Sequence, residues 1–272
     1  MVEDLATLLA QARTAFKAGE TETSVRLFRR AQELSPRDPD IPHELGLALV
    51  EQGDVGLAAL AQGQALALDS GHIGARAQRA AALASLGDDE GAARELRELL
   101  SRLGPQPALS ARLSGLEQSA ASAASRRLLG SPLARLGTSP LAGSALARNI
   151  ADPLVFRAPF AELRARLRDG KLARLDLVFN SMDASLGRSD LSYGGTTEDE
   201  HGRRVPLDEF TAAGIVFLSE ALGIETVRAR RMLSFLLAPE CGLGPHRFAG
   251  VDVGWTISGG DGERRYGLFV AL

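Results

Sequence analysis

The sequence predicts an α-helical repeat array followed by a separate α+β domain, and three observations lead there. Gly19, Gly53 and Gly87 stand 34 residues apart, twice over, and each is followed by an acid: Glu20, Asp54 and Asp88. Small residues recur around them at the same interval, seven positions before (Ala12, Gly46, Ala80) and five after (Ser24, Ala58, Ala92). The period then stops, and residues 151–272 mix alternating apolar segments with two apolar helical runs and a Gly259-Gly260-Asp261-Gly262 hairpin signal. The expected organisation is three repeats with a capping helix over 1–119, a Ser/Ala/Gly/Pro-rich flexible linker over 120–150 and an α+β domain over 151–272.

A fixed period of this size marks one helix–turn–helix unit repeated, each unit unable to bury its apolar face alone. The units run over residues 5–38, 39–72 and 73–106. Glycine at the turn supplies a left-handed C-cap between paired helices, and the small residues let neighbouring helices approach closely. Pro36 and Pro39 end one unit and open the next, since proline is tolerated at a helix start but not in its interior. Leu34 and Leu68 close the first two units, while the third carries Arg102 there. Three units are the usual minimum for a stable array, and the last apolar face needs a cap. Leu109, Leu113 and Leu116 in ALSARLSGLEQS have the helical spacing to supply it.

These units resemble tetratricopeptide repeats. The second is the best match, with Leu45-Gly46 in its first helix, Gly53-Asp54 at the turn, then Ala58, Ala65 and Leu68-Asp69. In that family the first helix of each unit lines a concave groove that takes a peptide or helix from a partner. The resemblance implies groove residues Leu9, Arg13, Phe16 and Lys17 from the first unit, and His43, Leu47, Val50 and Glu51 from the second. The third would contribute Ala77, Gln78, Ala81 and Ala84. One branch of the family grips a C-terminal carboxylate with a Lys/Asn/Arg clamp. Leu9, His43 and Ala77 stand where that clamp needs cations and amides, so chaperone-tail binding is not expected. Phe16, Leu47 and Val50 instead suit an apolar or amphipathic helix, although the chain's own cap or linker could fill the same groove.

A chain of 272 residues accommodates two modest domains, and 45 % hydrophobic with 24 % charged residues is the composition of an ordinary soluble globular protein. The formal charge of −3 is unevenly spread. Residues 1–118 carry 12 basic and 17 acidic side chains, residues 119–150 four arginines and no acid, and residues 151–272 15 basic and 17 acidic side chains. Neither half has the basic surplus that sequence-independent nucleic-acid binding requires, so nucleic acid is not an expected partner. A single cysteine, Cys241, rules out an internal disulfide and suits a reducing compartment. The acidic start, Met1-Val2-Glu3-Asp4, lacks the basic and apolar regions of a secretory signal, and no apolar stretch approaches the roughly 20 residues of a membrane span. A cytoplasmic location is expected. Of 31 basic residues only Lys17 and Lys171 are lysine, which points to a GC-rich bacterial genome.

Residues 119–150 contain the near-duplicate LGSPLA and LGTSPLA, a composition that reads as a tether. Arg126, Arg127, Arg135 and Arg148 look too dispersed for a nucleic-acid patch. Farther on, Pro159–Asp169 reads as a short helix stopped by Gly170, and Leu172–Phe179 as a strand. Gly187–Arg204 reads as a loop or irregular hairpin. Leu207–Leu222 and Glu225–Ala238 read as helices, and Gly250–Ser258 and Arg264–Leu272 as the strands of a hairpin. Trp255 shares a face with Val251, Val253 and Ile257, which places it in the core.

Two groups in this half carry reactive side chains. Cys241 and His246 in PECGLGPHRF could form a thiol–imidazole pair, but nucleophilic use needs a third, orienting group that the sequence does not display. Asp183, Asp190, Glu198, Asp199, Glu200 and His201 are oxygen-rich, yet their spacing fits no calcium-loop or zinc motif. No catalytic residue, metal ligand or cofactor is therefore assigned. The leading expectation is a non-enzymatic bacterial adaptor that binds a protein or peptide in the repeat groove. Its C-terminal domain makes a second contact, self-association through an exposed strand included. The alternatives are a modifying or hydrolytic enzyme whose repeats recruit a protein substrate, and a regulator of winged-helix type reading DNA through Arg228, Arg230 and Arg231.

Overall fold

The computed structural model describes residues 4–137, 139, 141, 146–148, 154–157, 161–179, 196–198, 204–238, 241, 244–258 and 265–272. They divide into two compact units, Met1–Gln118 and Ser119–Leu272.

The first unit is built from helix pairs. They are α1 (Leu5–Lys17) with α2 (Thr21–Leu34), α3 (Asp40–Gln52) with α4 (Val55–Leu68), and α5 (Ile73–Leu86) with α6 (Asp89–Leu103). Gly19, Gly53 and Gly87 take φ of 77°, 93° and 89° at the three intra-pair turns. A left-handed residue there lets the chain reverse without the penalty a Cβ would bring. The acids that follow occupy the N-cap positions of α2, α4 and α6, and the Asp88 side chain accepts from the Gly91 N–H at 2.8 Å. Ala12, Ala58, Ala80 and Ala92 are buried where the helices cross. The Ser24 hydroxyl donates to the Ala12 carbonyl at 3.1 Å. Gly46 leaves room for Gln62, whose Nε2 lies 2.3 Å from where a Cβ would stand. Phe28, Ile41 and Leu86 are the largest fully buried side chains of this unit.

α7 (Pro107–Arg126) has Leu116 buried and Leu109 and Leu113 half-buried, and it runs about two turns beyond Ser119, where the expected capping helix ends. Its extension reads SAASAASR, and alanine is the strongest helix former, so the helix continues through to Arg126. The described part of 120–150 also departs from the expected tether. α8 (Leu133–Gly137) is a short helix, and Leu128, Leu129 and Leu136 are buried. Backbone bonds tie the segment down: Leu128 N–H to the Glu220 carbonyl, Gly130 N–H to the Leu172 carbonyl and Leu172 N–H to the Ser131 carbonyl. Three buried leucines offset an ordering cost that average composition hides.

The second unit contains a seven-stranded antiparallel sheet and a helix pair. The strands are β1 (Leu146–Arg148), β2 (Leu154–Arg157), β3 (Ala161–Arg168), β4 (Lys171–Phe179), β7 (His246–Phe248), β8 (Val251–Ser258) and β9 (Arg265–Ala271), in the order β1-β2-β3-β4-β9-β8-β7. β5 (Thr196–Glu198) and β6 (Arg204–Pro206) pair antiparallel as a small separate sheet that begins in the segment read as a loop or irregular hairpin, Gly187–Arg204, and ends two residues beyond it.

The helix expected over 159–169 is instead strand β3. AELRARLR alternates strictly, which places Leu163 and Ala165 on the buried face opposite Leu177 and Leu175. Asp169 and Gly170, at φ of 52° and 74°, make the two-residue turn into β4. The expected strand over 172–179 is β4, and the two late strands are β8 and β9, paired from Ser258↔Arg265 to Asp252↔Ala271. Their connecting turn, Gly259–Gly262, lies outside the described residues.

α9 (Leu207–Leu222) and α10 (Thr226–Leu237) are the two expected helices. Phe217, Leu218 and Ala221 of α9 are fully buried, as are Ala229 and Leu236 of α10. Gly214 lets α9 approach Leu233 and Leu268. Trp255 is buried as expected, and its indole N–H donates to the Leu236 carbonyl at 2.8 Å.

Candidate functional site

The expected groove residues lie on α1, α3 and α5. Leu9, Phe16 and Leu47 are half-buried, Val50 is 38 % exposed, and Lys17 and Glu51 are exposed. Ala77, Gln78, Ala81 and Ala84 are half-buried on α5 and present mostly small side chains.

Two polar ties link these first helices. The Arg13 guanidinium of α1 donates twice to Glu44 of α3, Nε to Oε2 at 2.8 Å and Nη2 to Oε1 at 2.6 Å. That hydrogen-bonded carboxylate, and its charge, hold the Arg13 pKa above its ordinary value. Between the second and third units, His72 caps α5 by accepting the Ala75 N–H at Nδ1, so its Nε2 carries the proton that faces Asp40 at 3.2 Å. His43 lies 4.6 Å from His72, ring centroid to ring centroid. His43 is tied to α4: its Nδ1 meets Gln62 Oε1 at 2.8 Å, and Gln62 Nε2 donates to the His43 carbonyl at 3.1 Å. Gln62 is completely buried, and this exchange satisfies its amide.

Glu44, Asp40 and Gln62 belong to this arrangement and were absent from the sequence-based set. A signal for the first two was available. Arg13–Glu44 are 31 residues apart and Asp40–His72 are 32, close to one period, as are the bonded pair Gln32–Gln64 on the second helices. Complementary side chains separated by slightly less than one repeat are neighbours in a stacked array. Gln62 gave no such cue, because it depends on the missing Cβ of Gly46.

The third unit holds a further, half-buried charge group. Glu95 of α6 accepts from Arg76 Nη1 at 2.7 Å and Arg79 Nη1 at 2.8 Å, both on α5. Arg76 also donates to the Ser70 carbonyl, while the buried Nε atoms of both arginines lack partners.

In the second unit, Cys241 and His246 do meet. Cys241 Sγ lies 3.0 Å from His246 Nε2, and the same nitrogen is 2.7 Å from the Cys241 carbonyl oxygen. A carbonyl oxygen at that distance only accepts, so Nε2 carries the hydrogen and a neutral ring has no lone pair there for the thiol proton. Among the described residues no group orients the other ring nitrogen, and the ring is held instead by an edge contact with Phe235. The sequence-predicted pair is therefore real as a contact, without the geometry of a base poised on a thiol. Asp183, Asp190, Asp199, Glu200 and His201 lie outside the described residues. Among the described residues no three His, Cys, Asp or Glu side chains cluster as metal ligands, and no helix is long and apolar enough to cross a membrane.

Paired helices of 13 to 15 residues, left-handed glycine turns and side-by-side first helices make residues 5–103 a tetratricopeptide-type array. Solved structures similar to it include the first tetratricopeptide domain of Spaghetti (RPAP3) bound to an HSP90 peptide. That match has 20 % identity and a TM-score of 0.41, and covers 43 % of this chain and 94 % of that one. The Yersinia enterocolitica type III secretion chaperone SycD, with a peptide of the translocator YopD, matches at 18 % identity and a TM-score of 0.39 over 42 % of this chain and 92 % of its own. The Sgt2 domain of Aspergillus fumigatus matches at 17 % identity and a TM-score of 0.39, over 54 % and 89 %. No family model matches the chain. No curated protein matches it either.

Proposed function

We propose that this chain is a non-enzymatic bacterial adaptor of the cytoplasm, whose repeat groove receives an apolar or amphipathic helix of a partner protein. The observation that carries this reading is the apolar series Leu9, Phe16, Leu47 and Val50 on the first helices, bordered by charges that already satisfy one another. Arg13 is committed to Glu44, and His72 to Asp40 and the α5 cap. A partner that covered this series would gain apolar burial, worth about 25 cal/mol per Å², without stripping water from an unpaired charge. Nearby Lys17 and Glu51 are exposed and of opposite sign, and give the rim a means of selecting register. The second unit supplies the second contact.

The test is affinity capture by the full chain, with partners identified from the wild type and followed through variants. Phe16→Glu and Leu47→Glu are expected to lose the captured partner while keeping wild-type helicity. Leu34→Glu, at an exposed position on a second helix, is expected to keep it. Capture that survives both groove variants would overturn the reading.

A further inference from the structure

Two imidazoles meet where the third repeat joins the second, and the hydrogen bonds around them fix where each carries its hydrogen. The Ala75 N–H donates to His72 Nδ1 at 3.0 Å, so that nitrogen is bare and the hydrogen sits on Nε2, 3.2 Å from Asp40 Oδ1. His43 is fixed by Gln62. The His43 carbonyl only accepts, so the Gln62 amide nitrogen faces it and Gln62 Oε1 is left to face His43 Nδ1. An amide oxygen also only accepts, so His43 carries its hydrogen on Nδ1, and the neutral ring is bare at Nε2. That nitrogen lies 3.1 Å from where a Cβ on Gly74 would stand, in the first turn of α5. The two rings, 4.6 Å apart, are thus of opposite tautomer, and each turns a lone pair toward the start of α5.

We propose that this pair is a proton-operated latch between the second and third repeats, closed while both rings are neutral and open once His72 takes a proton. A proton on His72 Nδ1 removes the acceptor that caps α5 and sets a positive charge at the positive end of the helix dipole. A proton on His43 Nε2 brings a second charge to the same turn. Imidazole is the side chain that ordinarily changes charge between about pH 5 and 8, which sets the working range.

The neighbouring charges decide the direction. Asp40 of α3 attracts the charged ring, but its side chain is 71 % exposed and the attraction is screened. It also lies at the opposite ring nitrogen, so its pull does not replace the lost cap. Arg76, one turn on in α5, is held by Glu95 of α6 and the Ser70 carbonyl. Asp69, at the end of α4, accepts the Gly71 N–H, and Arg102 of α6, close to Gly71, is paired with Glu98. The cap is therefore complete while imidazole is neutral and is lost as pH falls. Because α5 is one of the first helices, opening also alters the groove; that consequence rests on the proposed function, and the latch itself does not.

The experiment uses the full chain, free of any partner and labelled with nitrogen-15. Long-range proton–nitrogen correlation at about pH 7.5 is expected to show His43 protonated at Nδ1 and His72 at Nε2. Amide hydrogen exchange, corrected for its intrinsic pH dependence, is then compared at about pH 7.5 and 5. The Ala75 amide is expected to lose protection about fivefold or more at the lower pH, the usual effect of losing a cap, while amides of α2 keep theirs. His72→Asn supplies a capping oxygen that acid does not remove, and is expected to keep Ala75 equally protected at both pH values. The latch is overturned if either ring shows the other tautomer, if wild-type Ala75 is unaffected by pH, or if His72→Asn responds as the wild type does. An equal loss of protection in α2 would assign the effect to general acid unfolding and overturn it too.

Discussion

Glycine does opposite jobs in the two units. In the repeat unit, Gly53 sits at φ 93° with nothing within 4 Å of its missing Cβ, so its requirement is one of backbone angle alone. In the second unit, Gly223 also has a positive φ, of 71°, but a Cβ there would stand 2.3 Å from the Ala123 carbonyl oxygen and 2.5 Å from the Arg127 nitrogen. Its requirement is close approach by a segment almost 100 residues away. The first unit is thus assembled from local rules applied three times, and the second from contacts that no local rule announces.

That contrast sets an order of sensitivities. Gly223→Val combines a backbone clash with a strained φ and is expected to cost about 4 kcal/mol, unfolding the second unit. Thermal melts should then show an early transition that leaves most helical signal intact, and an unchanged melt would contradict the close packing of 119–130 on the α9–α10 turn. Glu95→Gln leaves Arg76 and Arg79 sharing a neutral amide, and is expected to cost about 2 kcal/mol of repeat-unit stability by denaturant titration. Gly53→Ala meets open space and bears only the left-handed penalty, about 1 kcal/mol in the same titration. If Gly53→Ala proved the costliest of the three, the distinction between angle and approach would fail.

The same contrast explains what the sequence disclosed. The helix pairs, their turns and the small-residue crossings were legible because each depends on residues within one period of 34. Leu128 and Leu129 escaped notice because their partners, Glu220 and Ala221, lie some 90 residues on. β3 was read as a helix because Pro159 and Gly170 bracket it as they would a helix, and the cross-strand partners Leu175 and Leu177 decide the matter from outside the segment. Leu9, Phe16 and Leu47 lie half-buried on first helices, where position in the repeat puts them. Gln62 could not be placed that way, since its burial depends on a hole made by Gly46.

Under the proposed function the first helices of the repeats form the capturing surface. Site-specific photocrosslinking tests it most directly, with a benzophenone side chain at Leu47 and, in parallel, at Leu68, an exposed leucine at the end of α4. A discrete partner adduct is expected from position 47 and none from position 68. Equal adducts from both, or an adduct from position 68 alone, would contradict it.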